Sequence, residues 1–224
     1  MSYSLDRFIE RKIVLAFSVL CTLTWLLLKL TSEVIEGDAQ RVDQVIMQGL
    51  RHSDKTPIGP AALIDIARDI TALGSPIVLS LLVIATTLGL RLARQHLMAG
   101  AVLASSVSGF GAAMLMKTVI ARGRPDAAYR LIEVSGMSFP SGHAMLSSVI
   151  YLTLAILVAK ANSDVRIKLF VLGVAMALTG LVGLSRVYLG VHWLSDVVGG
   201  WIAGAVWALA CWIGVDRLSQ GVQS

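Results

Sequence analysis

Lys117-Thr-Val-Ile-Ala-Arg-Gly-Arg124-Pro125, Phe139-Pro140-Ser141-Gly142-His143 and Ser185-Arg186-Val-Tyr-Leu-Gly-Val-His192-Trp-Leu-Ser-Asp196 are three polar clusters in an otherwise apolar sequence. Each falls where a long apolar run ends or begins. Of the 224 residues, 56% are hydrophobic and only 15% charged, against roughly 25% charged in a soluble domain. Mean hydropathy is +0.76. A chain of this kind reads as an integral membrane protein. Lipid leaves no water to satisfy the backbone, so only helices or closed barrels cross it. The apolar runs are continuous and not alternating, which selects helices over a barrel.

Working outward from the clusters gives an all-α bundle of six transmembrane helices. The expected spans are 13–30, 76–92, 97–116, 142–159, 169–184 and 197–214, forming one membrane-embedded domain over 1–224. Residues 1–12 are a basic amphipathic lead-in with Arg7, Arg11 and Lys12. The first span reads as a retained signal-anchor, since no A-x-A-like cleavage site follows it. Segment 32–75 is more charged, with Pro57, Gly59 and Pro60 in its middle. Val42, Val45, Ile46 and Leu50 recur at helical spacing, as do Leu63, Ile66, Ile70 and Leu73. They predict two short amphipathic helices at the membrane surface, bordering a lipid entrance. Gly200 and Gly204 give the last span a small-residue packing face. Cys21 and Cys211 lie in apolar runs and read as small buried residues, not as a disulfide or metal pair.

Six spans put both ends of the chain on one side. If that side is the cytoplasm, it holds Arg7, Arg11, Lys12, Arg91, Arg94, Lys160, Arg166, Lys168 and Arg217. Raw Lys and Arg counts on the two sides are nearly equal. The inner turns are nevertheless short and basic, while several outer cations belong to the clusters. Both termini are therefore expected inside. All three clusters then fall on the outer face. The net charge of +5 is dispersed, without a basic stripe interleaved with aromatics, so nucleic acid is not an expected partner.

The clusters carry the chemistry of phosphate. Lys117 and Arg124 are two helical turns apart and project together if the helix persists. A dianionic phosphate needs several fixed cations, and arginine supplies planar paired donors. Arg122 and Arg130 read as membrane-border anchors. Pro140-Ser141-Gly142-His143 reads as a helix start: Ser141 caps or donates to phosphate, the Gly142 N–H approaches an anion, and the helix dipole favours it. His143 can then protonate a leaving oxygen. His192 and Asp196 share a face if helical. A carboxylate on one imidazole nitrogen leaves the other as nucleophile. Arg186 adds a third cation. The excess of cations opposes a metal in the same pocket, and neither a metal nor a cofactor is expected.

The three motifs, K-x6-R-P, P-S-G-H and S-R-x5-H-x3-D, resemble the signature of the type 2 phosphatidic acid phosphatase family. The sequence matches it at Lys117, Arg124, Pro125, Pro140 to His143, Ser185, Arg186, His192 and Asp196. The apolar spans resemble the family's bacterial membrane branch, which includes phosphatidylglycerophosphate and undecaprenyl diphosphate phosphatases. The resemblance implies a phosphohistidine on His192, with Asp196 orienting it and His143 as acid. Lys117, Arg124, Ser141, Gly142 and Arg186 would hold the phosphoryl oxygens. The implied substrate is a membrane lipid phosphate or diphosphate: undecaprenyl diphosphate, phosphatidylglycerophosphate or phosphatidic acid. The implied place is a bacterial inner membrane with the site facing the periplasm or exterior. A lipid-to-lipid phosphotransferase and a non-catalytic lipid-phosphate transporter are the alternatives.

Overall fold

A computed structural model describes the backbone of residues 2–221 and the side chains of 14–217. The basic lead-in side chains Arg7, Arg11 and Lys12 lie outside the described ones. The elements are α1 (Ser2–Glu36), α2 (Ala39–Gly49), α3 (Ala62–Ala72), α4 (Pro76–Leu92), α5 (His96–Ile120), a short 3-10 turn (Ala127–Tyr129), α6 (Gly142–Ala161), α7 (Val165–Tyr188) and α8 (Leu194–Gly221). No strand forms among the described residues. Six stretches are long and apolar enough to cross a membrane: Val14–Glu36, Ala62–Leu92, His96–Ile120, Gly142–Ala161, Val165–Tyr188 and Leu194–Arg217.

Local chemistry sets several of these boundaries. Ser75 caps α4 by accepting from the Val78 N–H at 3.3 Å, and Pro76 takes the first helical position, where no N–H is needed. Asp164 caps α7 through the Arg166 N–H at 2.8 Å. α5 stops at Ile120 because Ala121 turns left-handed, with φ +50°. Lys117 and Arg124 therefore do not share one helix. Lys117 is in the last turn of α5, and Arg124 sits on the loop beyond it.

α6 is the central helix, packed against α5, α7 and α8. Its contact with α8 depends on missing side chains. A Cβ on Gly200 would lie 2.9 Å from the Ser141 carbonyl, and one on Gly204 would lie 2.5 Å from that of Met145. The close approach gains contacts that apolar burial cannot supply in lipid. A second core joins Leu79 and Val83 of α4, Val102 of α5, and Leu146, Val149 and Ile150 of α6. Leu81, Leu88, Val107, Leu115 and Phe170 point outward and are exposed, as lipid-facing side chains are.

Between α1 and α4 the chain forms the two short helices α2 and α3, and both bury polar groups; α3, expected at the membrane surface, falls inside the apolar stretch Ala62–Leu92. On α2 the buried side is Asp43 and Met47, while Val42 and Val45 are exposed. α3 packs along α7 and buries Ala67 and Thr71. It meets α4 at Gly74, where a Cβ would lie 2.3 Å from a Val182 methyl and 3.5 Å from the Cβ of His143.

Candidate active site

The C-terminal ends of α5 and α7 and the N-terminal ends of α6 and α8 bring the three clusters into one place. His192 precedes α8 in a tight turn, and Asp196 lies in that helix's first turn. Both side chains are buried. The Asp196 Oδ2 accepts from the Trp193 N–H at 2.9 Å and from the Ser138 hydroxyl, and it faces the His192 Nδ1 at 3.4 Å. Ser138 Oγ is 3.3 Å from the same Nδ1. The other imidazole nitrogen, Nε2, lies 3.1 Å from the Arg124 Nη1. With the Nδ1 proton directed at Asp196, Nε2 carries the lone pair and accepts from the guanidinium.

Arg124 is held by three carbonyls. Its Nη1 donates to Val191 at 2.8 Å, Nε to Gly136 at 2.9 Å, and Nη2 to Ser135 at 3.0 Å. Lys117 donates to the Met137 carbonyl at 2.9 Å. A Gly142 Cβ would touch the Lys117 Cε at 3.7 Å, so the lysine stem lies over the start of α6. The Ser141 N–H donates to the Asp196 carbonyl at 2.9 Å, tying α6 to α8. The Ser141 hydroxyl is buried and has no partner, and the Arg186 Nε is likewise unpaired. Two buried polar atoms without partners are costly in a closed interior. Both are donors that a phosphoryl oxygen would satisfy. Arg186 Nη1 reaches Thr71 of α3 at 3.2 Å. His143 stands within electrostatic reach of Arg186, His192, Arg124 and Lys117.

All eight residues of the sequence-derived set thus meet, but the expected local geometry changes in two places. Arg124 arrives by loop, and His192 is not on a helix with Asp196. Burial holds the His192 imidazole well below its ordinary 6.5, to about 4. Asp196 pulls the other way, while Arg124 and Arg186 lower it further. The ring is therefore neutral at physiological pH. Among the described residues no group of three His, Cys, Asp or Glu side chains is arranged to hold a metal ion.

Four residues around the site do not come from the motif positions. Arg122, read from sequence as an anchor, is a buried ion-pair partner: its Nη1 donates to Asp196 Oδ1 and its Nη2 to Asp43 Oδ2, each at 2.7 Å. Asp43, Ser138 and Thr71 complete the surroundings. Asp43 and Thr71 are short polar side chains beside an apolar helical stripe, and Ser138 is a loop serine just before Phe139, signals too common to single them out.

The sequence matches the PAP2 superfamily over residues 95–220. The chain belongs to that superfamily. Phosphatidylglycerophosphatase B of Bacillus subtilis (strain 168) is 42% identical over 91 residues, covering 40% of this chain and 44% of the relative. Undecaprenyl-diphosphatase of Sulfolobus acidocaldarius is 41% identical over 68 residues, 30% of this chain and 29% of that one. Each alignment spans less than half of the curated relative. The fold match is wider. The crystal structure of a transmembrane PAP2-type phosphatidylglycerolphosphate phosphatase from Bacillus subtilis superposes with a TM-score of 0.79 at 29% identity, covering 88% of this chain and 96% of that one. Aquifex aeolicus LpxE shares the fold at a TM-score of 0.57 and 21% identity, over 78% and 94% of the two chains. The family match covers the cluster at these helix ends, while α1 to α4 lie before it.

Proposed function

We propose that the chain works as a single membrane-embedded domain that hydrolyses a terminal phosphate from a membrane lipid. The observation that carries this reading is the orientation of His192. One ring nitrogen faces a buried carboxylate, and the other faces a guanidinium at 3.1 Å, in the direction from which a phosphate would come. Substrate phosphate would take over the Arg124 Nη1 and the unpaired donors of Ser141 and Arg186, with Lys117 and the Gly142 N–H completing its shell. His192 Nε2 then attacks phosphorus. The bond from phosphorus to the leaving oxygen breaks, and His143, which takes up a proton when the negatively charged phosphate binds beside it, gives that proton to the oxygen. The neutral His143 next takes a proton from water, whose oxygen attacks the phosphohistidine. Inorganic phosphate leaves and free His192 returns. Asp196 holds the Nδ1 proton through both steps. Five cationic and dipolar donors would surround the phosphoryl group, so charge neutralisation comes from the chain itself.

The named relatives support lipid substrates. We place undecaprenyl diphosphate first, then phosphatidylglycerophosphate and phosphatidic acid, in a bacterial inner membrane with both termini cytoplasmic and the site facing outward. The test is phosphate release by purified protein in EDTA across those three lipids and a soluble phosphate ester. Release from a lipid is expected, and it should vanish in His192→Ala. Undiminished release in that variant would sink the mechanism.

A further inference from the structure

Asp196 is bonded on both oxygens, and the two sides differ. On Oδ2 it meets His192, Ser138 and the Trp193 N–H. On Oδ1 it meets Arg122 alone, at 2.7 Å. Arg122 does not end there. Its second nitrogen pairs with Asp43, a residue of α2 that is 2% exposed. Asp43 in turn accepts from the Ser195 N–H at 2.9 Å and from the Ser195 hydroxyl at 2.5 Å. Arg122 Nη1 also donates to that hydroxyl, at 2.6 Å. The guanidinium lies 5.9 Å from the Trp193 ring centre. Four chemically distinct groups therefore fix one arginine, and none of them has a place in holding phosphate.

The charge pattern matters as much as the geometry. Arg122 with Asp43 is a neutral pair in a site already crowded with cations. Next to Asp196, an arginine without a counter-charge would draw the carboxylate's charge away from the imidazole. With Asp43 opposite, the carboxylate is held in place while its charge remains available to the Nδ1 proton. We propose that Arg122, balanced by Asp43, is a positioning residue for the His192–Asp196 pair, so that helix α2 acts on the reaction without touching substrate.

The groups facing His192 from each element are Asp196 on α8, Arg186 on α7, His143 on α6, and Arg124 and Ser138 on the intervening loop. All remain in place when the Asp43–Arg122 pair is changed. Removing Asp43 alone leaves one extra positive charge beside Asp196. Removing both restores neutrality. The two changes should therefore act in opposite directions, which a merely structural role would not produce.

The experiment compares the wild type, Asp43→Asn and Asp43→Asn/Arg122→Gln. Its kinetic arm rests on the phosphatase reading above and measures release from undecaprenyl diphosphate in detergent. Asp43→Asn should lower kcat about tenfold, with KM unchanged and the acid limb of kcat/KM moved to lower pH. Adding Arg122→Gln should recover part of the kcat and return the limb toward its wild-type position. The second arm needs no turnover. Nitrogen-15 histidine spectra of the same proteins, with four histidines to assign, follow the His192 ring directly. Its titration should fall in Asp43→Asn and rise again in the double variant. A titration and kcat unmoved by Asp43→Asn would overturn the proposal. So would a double variant in which neither arm recovers relative to the single. A wild type that releases no phosphate would instead overturn the phosphatase reading, and the spectra alone would then decide the proposal. If the double variant does not fold, the result for Asp43→Asn decides it.

Discussion

The helices from α5 to α8 and those from α1 to α4 both place polar side chains in the interior, by different means. In the first group, the charged and imidazole side chains come in short runs at helix ends: Lys117 to Pro125, Phe139 to His143, and Ser185 to Asp196. Each run lies within a few residues of a helix boundary, so the backbone delivers it to one end of the bundle. In the second group, Asp43, Arg51 and Thr71 are lone residues in the described helices and their connection. Each finds its partner far away in sequence. Asp43 bonds Ser195 across 152 positions, Arg51 bonds the Tyr188 carbonyl across 137, and Thr71 receives Arg186 across 115. One half carries the chemistry in motifs, and the other braces it with isolated contacts.

Removing a brace tests that division, and the largest effect is expected at Arg122. Its side chain is 9% exposed and lies between two buried carboxylates. Arg122→Ala leaves both without a counter-charge, which should cost about 3–5 kcal/mol of stability. Chemical denaturation in detergent would measure it. A loss below about 1 kcal/mol would mean that the pair is solvated and that the two halves are only loosely joined there.

The motif half makes its own prediction through pH. Burial holds the His192 ring neutral, to about 4 against the ordinary 6.5. A depressed folded value means that protons favour the unfolded chain. The stabilisation is complete above about 6.5 and is lost as pH falls toward the folded value. Thermal midpoints should therefore drop between pH 6.5 and 4 in the wild type, and drop less in His192→Asn. The neutral ring should also sustain the proposed phosphatase activity at pH 5.5. A kcat/KM limb centred at an ordinary histidine value would argue for a solvated His192.

How much of this was legible in the sequence follows the same division. The six spans and the meeting of the three clusters follow from apolar continuity and from motifs at helix ends, both local properties. The end of α5 was not legible. Ala121 adopts a left-handed conformation that its side chain does not encode, so Arg124 reaches the site by loop. Arg122 looked like an anchor because a guanidinium at a membrane border usually is one. Only the fold reveals Asp43 beside it. The faces of α2 were hidden for a related reason. Val42 and Val45 satisfy a helical apolar pattern, yet in lipid an apolar stripe can face outward and leave a carboxylate inside.

Arg51 sharpens the contrast without touching the site. It is buried and donates to the Leu50, Tyr129 and Tyr188 carbonyls at 3.0, 2.8 and 2.8 Å. It thereby pins the loop after α2 to the 3-10 turn and to the end of α7. Arg51→Met keeps the stem and loses the donors, so about 2 kcal/mol of stability should go. Activity per folded molecule should hardly change, because none of these carbonyls belongs to the phosphate shell. A kcat loss that exceeds the loss of folded protein would show that this brace, too, transmits to the chemistry.

The smallest effect is expected at Thr71, and it separates bracing from packing most finely. Its hydroxyl accepts from Arg186 Nη1 at 3.2 Å, while the Arg186 Nε is unpaired. The bond restrains a long side chain that would otherwise sample several rotamers, so the guanidinium is already aimed at the proposed phosphate position. Thr71→Val keeps the shape and removes the acceptor. About 1 kcal/mol should be lost, or roughly fivefold weaker inhibition by vanadate, with little change in stability. Thr71→Ser keeps the hydroxyl and removes a methyl, and should restore most of the affinity. If serine and valine lose affinity equally, the methyl packing of α3 on α7 positions Arg186 and the hydroxyl does not. If neither loses any, Arg186 is aimed by its own helix, and the N-terminal half braces the site through Asp43 alone.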